Sequence, residues 1–457
     1  MSKSKKFQID MCNGPLFSKI VRFSLPLMAT NVLQLLFHAA DLIVLGRFAP
    51  AEAMAAVGAT SGLAILSINI FLGLATGVNV LVARYIGARD AKRVSNTVHT
   101  AVSVALYWGV VMTFISLILS KPLLRLMGTP ENILDDAAIY LWICALGLPA
   151  LIFYNFGSAV LRALGDTRRP LIYMAIAGVV NVLLNLFFVT VCSMDVGGVA
   201  LATKISNVLS AFLVARTLMN ANDSSRLVWK KVHLHWESLK EMLKVGLPAG
   251  IQGSLFSISN ITIQSSVNSF GWQAIAGNTA AMSLEGIVYV ASSSYYYTAI
   301  SFTGQNHGAG KLDRIIKSIF YCIICTVVTT AAMSGTCLLF GNELLRFYNP
   351  DANVIEWGLL RMKILFSTYF MCGVMDALSG SLRGLGHSLK PMLVIMLGVC
   401  GLRIFWVFSI FPLHRTMTSL MISYPVSWML VCSINGAILW YICRRMQKQS
   451  LAGRKLY

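Results

Sequence analysis

One helix-length stretch carries the residues best suited to chemistry. Asn31, Gln34, His38 and Asp41 fall at i, i+3, i+7 and i+10, one polar stripe on an otherwise apolar helix. A carboxylate near the middle of a bilayer costs about 2.5–3.5 kcal/mol on insertion scales, so it turns toward a cavity or a partner rather than lipid. A carboxyl so placed can bind and release a proton or hold a small cation. The plainer alternative is an acid that only hydrogen-bonds neighbouring helices, or one solvated near the outer surface. His38, one turn away, is open to the same pair of roles: proton handling or packing. At matching depth, counted from helix ends, lie Asn155, Asn181, Asn185 and Thr203, with Lys204 beside them. Ordinary interhelical hydrogen bonding is the alternative role of each Asn.

A second charged set lies in the other half of the chain. Glu285, Asp376 and Arg403 are expected to form one buried, mutually neutralising group, either a structural ion-pair network or a coupling-ion site. Arg361 and Lys363 are expected to snorkel outward from the end of their helix. Tyr295, Tyr296, Tyr297 and the methionines fit either a core or an adaptable cavity wall. Cys322 and Cys325 form a C-x-x-C with no second pair and no His, which suits small apolar packing residues. Gly304–Gly310 lacks the Lys-Ser/Thr and the preceding strand of a phosphate loop, so nucleotide binding is not expected. No HExxH and no paired catalytic motif occurs. The expectation is a non-enzyme with no cofactor and no metal, beyond a coupling H+ or Na+.

The elements that position these residues are membrane helices. The chain is 56% hydrophobic and 12% charged, against about 25% charged in soluble domains, and its mean hydropathy is +0.70. Apolar runs divide into twelve helices of bilayer length, near 18–46, 53–82, 94–120, 132–160, 170–192 and 197–221, then 244–270, 274–303, 314–340, 353–380, 391–412 and 417–446. This gives an N-terminal unit at 1–221, a polar linker at 222–243 and a C-terminal unit at 244–457 with a basic tail from Arg444. The polar N-terminus shows no cleaved signal.

The halves repeat one another. Leu161–Pro170 reads LRALGDTRRP and Leu382–Pro391 reads LRGLGHSLKP, 221 positions apart. Gly87-Ala88 recurs as Gly308-Ala309, Arg93 as Arg314, Leu124-Arg125 as Leu345-Arg346, and Asp376 is the counterpart of Asn155, all at that offset. Leu25-Pro26 recurs as Leu247-Pro248 with one slip. Net charge is +19, which in a soluble protein would point to nucleic acid. Here the basic residues sit in short loops on one side. The opposite loops hold Arg47, Lys121, Arg125, Arg346 and Arg415 among more numerous acids. That asymmetry puts both termini and the linker in the cytoplasm and makes a nucleic-acid partner unexpected. Six helices per half make the repeats parallel, related by an axis along the membrane normal.

With these motifs in order, the chain resembles the multidrug and toxic compound extrusion (MATE) family. The residues carrying the resemblance are Leu25-Pro26, Gly87-Ala88-Arg89, the two LRxLG…P elements, Gly198–Thr203, and Gly304–Gly310, which reads GQNHGAG. It covers about 15–445. It implies an all-α membrane protein whose twelve transmembrane helices form a V-shaped pair of six-helix lobes. It also implies an antiporter of the plasma membrane, monomeric and contacting membrane lipids. Such a protein exports amphipathic, cationic, drug-like small molecules in exchange for protons or sodium ions. Asp41 matches the family's helix-1 Asp, which the resemblance makes the cation-coupling residue. The family's N-x-x-x-D on helix 5 reads Asn181…Asn185 here, so Asp41 is left as the lone acid of that group. Lys244–Phe270 also lacks the acid that sodium-coupled relatives carry on helix 7. The alternative is a flippase of a lipid-linked precursor, which would need Lys204, Arg361, Lys363 and Arg403 gathered around a pyrophosphate.

Overall fold

The structure, a computed structural model, describes residues 7–48, 51–126, 131–192, 194 and 196–451. The basic tail beyond Leu451, the lysines before Phe7 and the side chain of Arg47 lie outside the described residues. Helices make up the fold, with no strand among the described residues. In chain order they are α1 (Leu16–Phe48), α2 (Ala51–Gly87), α3 (Ala91–Leu126), α4 (Glu131–Leu146 continued by Leu148–Ala163), α5 (Arg168–Val191) and α6 (Val196–Met219). Then follow α7 (Trp236–Asn268), α8 (Trp272–Gly308), α9 (Leu312–Leu339), α10 (Ala352–Gly384), α11 (Leu389–Ile410) and α12 (Met417–Leu451). Among the described residues, nine of these are long and apolar enough to cross a membrane, and the bent α4 makes a tenth. α7 and α8 are equally long but richer in Ser, Thr, Tyr and Asn.

The LRxLG repeat is a helix stop. In both copies the glycine holds a positive φ, +88° at Gly165 and +87° at Gly386, which a side chain resists. Asp166 N–H donates to the Leu161 carbonyl at 2.9 Å, and His387 N–H to the Leu382 carbonyl at 2.9 Å. These reach-back bonds satisfy carbonyls that the ending helix leaves open. Pro170 and Pro391 then sit in the first turn of the next helix, where no N–H is needed. α4 bends by 47° at Gly147. The Lys204 side chain lies across that glycine, 2.2 Å from where a Cβ would stand.

Contacts divide the chain into two compact units. Unit 1 is Met1–Ile9, Ala29–Ile86 and Asp90–Leu247; unit 2 is Asp10–Met28, Gly87–Arg89 and Pro248–Tyr457. Near Pro26 and Pro248, α1 and α7 each change unit. The start of α1 counts with unit 2 because Phe23 stacks edge-on against Phe302 at 5.6 Å and Phe17 against Tyr321 at 5.6 Å. Ahead of it, Arg314 donates to the carbonyls of Gly14 at 3.0 Å and Met11 at 3.1 Å. α7 begins at Trp236, inside the expected linker. The remaining linker is pinned to α3 of unit 1: Val228 N–H donates to His99 Nε2 at 3.1 Å and His235 N–H to Thr100 Oγ1 at 3.2 Å.

Candidate functional site

In unit 1, Asp41 is a hub. Its Oδ1 accepts from the Asn185 amide at 2.5 Å and its Oδ2 from the Thr203 hydroxyl at 3.4 Å. The Thr203 proton is shared, since it also lies 2.9 Å from the Val199 carbonyl. Asn181 donates to Thr203 Oγ1 at 3.2 Å, and Asn185 lies 3.4 Å from Asn181 Oδ1. Asn181 and Asn185, one turn apart on α5, are both buried, and Asp41 is half-buried. Among the described residues, the hydrogen-bond partners of the carboxylate are neutral dipoles on α5 and α6. Such donors stabilise the anion without fixing it as an ion pair.

Apolar residues close one side of this group. Val44, Val189 and Val199, each a turn or so beyond Asp41, Asn185 and Thr203, join Leu124, Leu134, Ala137 and Leu141 in one packed cluster. The other direction along α1 is open, with His38 and Gln34 exposed. His38 and Tyr140 of α4 lie within electrostatic reach of Asp41. Tyr140 gives no sequence signal, because it stands in an ordinary apolar run.

Sequence depth placed Asn155 with this group. Its amide instead turns back to the Leu151 carbonyl of its own helix at 2.8 Å, and no contact described here joins it to Asp41. The aliphatic stem of Lys204 lies against Gly147.

Unit 2 corrects the expected trio. Glu285, Asp376 and Arg403 share no hydrogen bond or ion pair among the described residues, although Arg403 lies within electrostatic reach of Glu285. Glu285 on α8 instead pairs with Arg361 on α10 at 2.5 Å. Arg361 also donates to Asn278 Oδ1 at 2.8 Å, and Tyr369 donates to Glu285 at 3.4 Å. Asp376 accepts from Ser292 at 2.7 Å and has no ion pair among the described residues. It lies two turns of α10 past Tyr369, about 10 Å along the axis at 1.5 Å per residue, beyond reach of that pair. Arg403 stacks 3.8 Å from the Tyr424 ring centroid and donates to Ser427 at 3.2 Å. Arg361, expected to snorkel outward, is 2% exposed; Lys363 alone is exposed. Arg403 also stands on a short α-helical piece of α11 between two wide, π-type turns, Met396–Gly401 and Trp406–Ile410. Wide turns of this kind recur at functional sites.

Comparison with known proteins identifies the chain as a transporter. The MatE family model matches residues 26–187 and again 248–408, once per repeat. The chain is 28% identical over 402 residues to the probable multidrug resistance protein YpnP of Bacillus subtilis, covering 87% of this chain and 88% of that one. It is 26% identical over 386 residues to the probable multidrug resistance protein NorM of Thermotoga maritima, covering 83% and 82%. Its fold matches an outward-facing multidrug resistance MATE family transporter at a TM-score of 0.88 and 22% identity, over 96% of this chain and 98% of that one. Two matched halves, the repeated helix stops and the multi-pass helical architecture lead to one conclusion: the chain belongs to the MatE family of membrane transporters.

Proposed function

We propose that the chain is a secondary antiporter that exports amphipathic, cationic small molecules in exchange for protons, with Asp41 as the exchanging group. The observation carrying this is the Asp41 carboxylate, half-buried, held at 2.5 Å by Asn185 and at 3.4 Å by Thr203, with no cationic side chain paired to it among the described residues. An anion held only by neutral dipoles is free to take a proton or to attract a cationic solute. Protonation removes the charge that attracts the solute and relaxes the pull on α5 and α6. Loss of the proton restores both. Sodium is the competing ion, and the absence of an acid in Lys244–Phe270 weighs against it. In this reading the membrane is the plasma membrane and both termini lie in the cytoplasm, an orientation the loop charges support. The flippase alternative needed free cations, yet Arg361 is neutralised by Glu285.

Proteoliposomes loaded with a fluorescent organic cation, under a pH gradient or a sodium gradient separately, test the proposal. The pH gradient should drive transport in wild type, and Asp41→Asn should fold yet lose it. Wild-type rates for Asp41→Asn, or drive by sodium alone, would sink it.

A further inference from the structure

A groove in unit 2 is lined by Ile316 and Ile319 of α9 and by Gly436, Leu439, Trp440, Cys443, Arg444 and Gln447 of α12, with a volume of about 560 Å³. That is within the range of small-molecule sites. Its floor belongs to a packed core: Ile319 and Leu439 join Ile315, Leu382, Ile442 and Met446. From Gly436 to Gln447 it runs about 16 Å along α12, at 1.5 Å per residue. The inner stretch is apolar. Gly436 keeps it open, since a Cβ there would meet nothing within 4 Å.

The mouth has the opposite character. Arg444 stacks 5.0 Å from the Trp440 ring centroid, and Trp440 is 61% exposed. Arg445, Lys448 and, on α9, Lys317 are exposed at the same end, against the single acid Asp313. An exposed Trp beside a cation marks the headgroup level of a membrane protein. The groove thus offers an apolar slot opening onto fixed positive charge.

We propose that this groove is a binding site for an anionic phospholipid. One acyl chain lies along Ile316, Ile319, Gly436 and Leu439, and the phosphate is held by Arg444. Charge complementarity selects the anionic headgroup, because Lys and Arg side chains near the membrane surface attract anionic lipid. The site serves neither the Asp41 group nor solute selection.

The test uses the full chain purified in a neutral detergent. Dioleoylphosphatidylglycerol or dioleoylphosphatidylcholine is titrated, with the thermal midpoint and lipid retention in native mass spectrometry as readouts. Wild type should retain phosphatidylglycerol and be stabilised by it more than by phosphatidylcholine. Arg444→Gln should remove that preference, while Arg445→Gln, outside the groove, should keep it. Gly436→Leu projects into the slot from a position where a Cβ meets nothing within 4 Å, and it should abolish the response to both lipids with an unchanged midpoint in detergent alone. Ile316→Trp, filling from the α9 wall, should do the same if Gly436→Leu misfolds. Equal response to the two lipids in wild type overturns the proposal. Equal losses for Arg444→Gln and Arg445→Gln, which mean bulk surface charge only, also overturn it. So does retention of the phosphatidylglycerol preference in the filled-groove variants.

Discussion

The Glu285–Arg361 pair invites a double-mutant test. The Arg361 side chain is 3% exposed and that of Glu285 19%, and the two close to 2.5 Å. Removing one member of a buried pair leaves an uncompensated charge and costs about 3–5 kcal/mol, whereas removing both is near neutral or stabilising. The two single variants should not cost the same. Glu285→Gln keeps a carbonyl acceptor but leaves a guanidinium that has no neutral form. Its remaining support includes Asn278 Oδ1 at 2.8 Å, Met421 Sδ at 3.6 Å and the Tyr424 ring at 5.5 Å. Arg361→Met leaves a carboxyl group, for which a neutral form is available, partly reached by solvent and bonded by Tyr369. We therefore expect Glu285→Gln to lie toward the upper end of that range and Arg361→Met toward the lower. Glu285→Met combined with Arg361→Met should recover most of the loss. The assay is unfolding by SDS titration from mixed micelles. A loss under about 1 kcal/mol for Glu285→Gln would refute the argument, as would additive single losses, since a coupled pair gives about 0.5–3 kcal/mol of non-additivity.

Three further outcomes follow from the geometry. Asn185→Asp places a second carboxyl against Asp41 and should shift the pH dependence of transport while preserving folding, read in the proteoliposome assay across pH. Gly165→Ala forces a side chain into a φ of +88°, 2.3 Å from the Ile9 carbonyl oxygen; it should cost more than the roughly 1–2 kcal/mol of a left-handed residue, read by the same SDS titration. In the turn after α4, burial pushes the Asp166 carboxyl above its ordinary 3.8, against the pull of Arg169. A raised acid stabilises the fold below its unfolded value and loses that stabilisation as pH rises through the folded one. Wild-type stability relative to Asp166→Asn should therefore grow as pH falls from about 7 to 4; a flat difference would contradict the burial argument.

What the sequence revealed and what it hid divide along one line. Asp41, Asn181 and Asn185 were legible because local spacing shows which side chains share a helix face. Thr203 was legible because it fell at the matching depth. The LRxLG stop was legible because Gly and Pro act locally. The pairing of Glu285 with Arg361 was missed because nothing in either helix's own periodicity shows which way it turns toward a neighbour. Glu285, Asp376 and Arg403 were grouped as intramembrane charges of one half of the chain, which does not show whether they share a face. The wide turns around Arg403 have no residue signature, and the early start of α7 at Trp236 was hidden by its polar first turns.

The placement of Asp10–Met28 in unit 2 has a consequence for synthesis. The partners of this segment, Phe302, Lys311 and Arg314, are encoded far downstream; Gly14 and Arg314 are separated by 300 positions. At about 5–20 residues per second on the ribosome, the first turns of α1 emerge roughly 15–60 s before these partners exist. For that interval a segment carrying Phe17, Ile20 and Phe23 has only lipid, the insertion machinery or a chaperone to shelter it. Docking of this first-made segment therefore waits until α8 and α9 have been made.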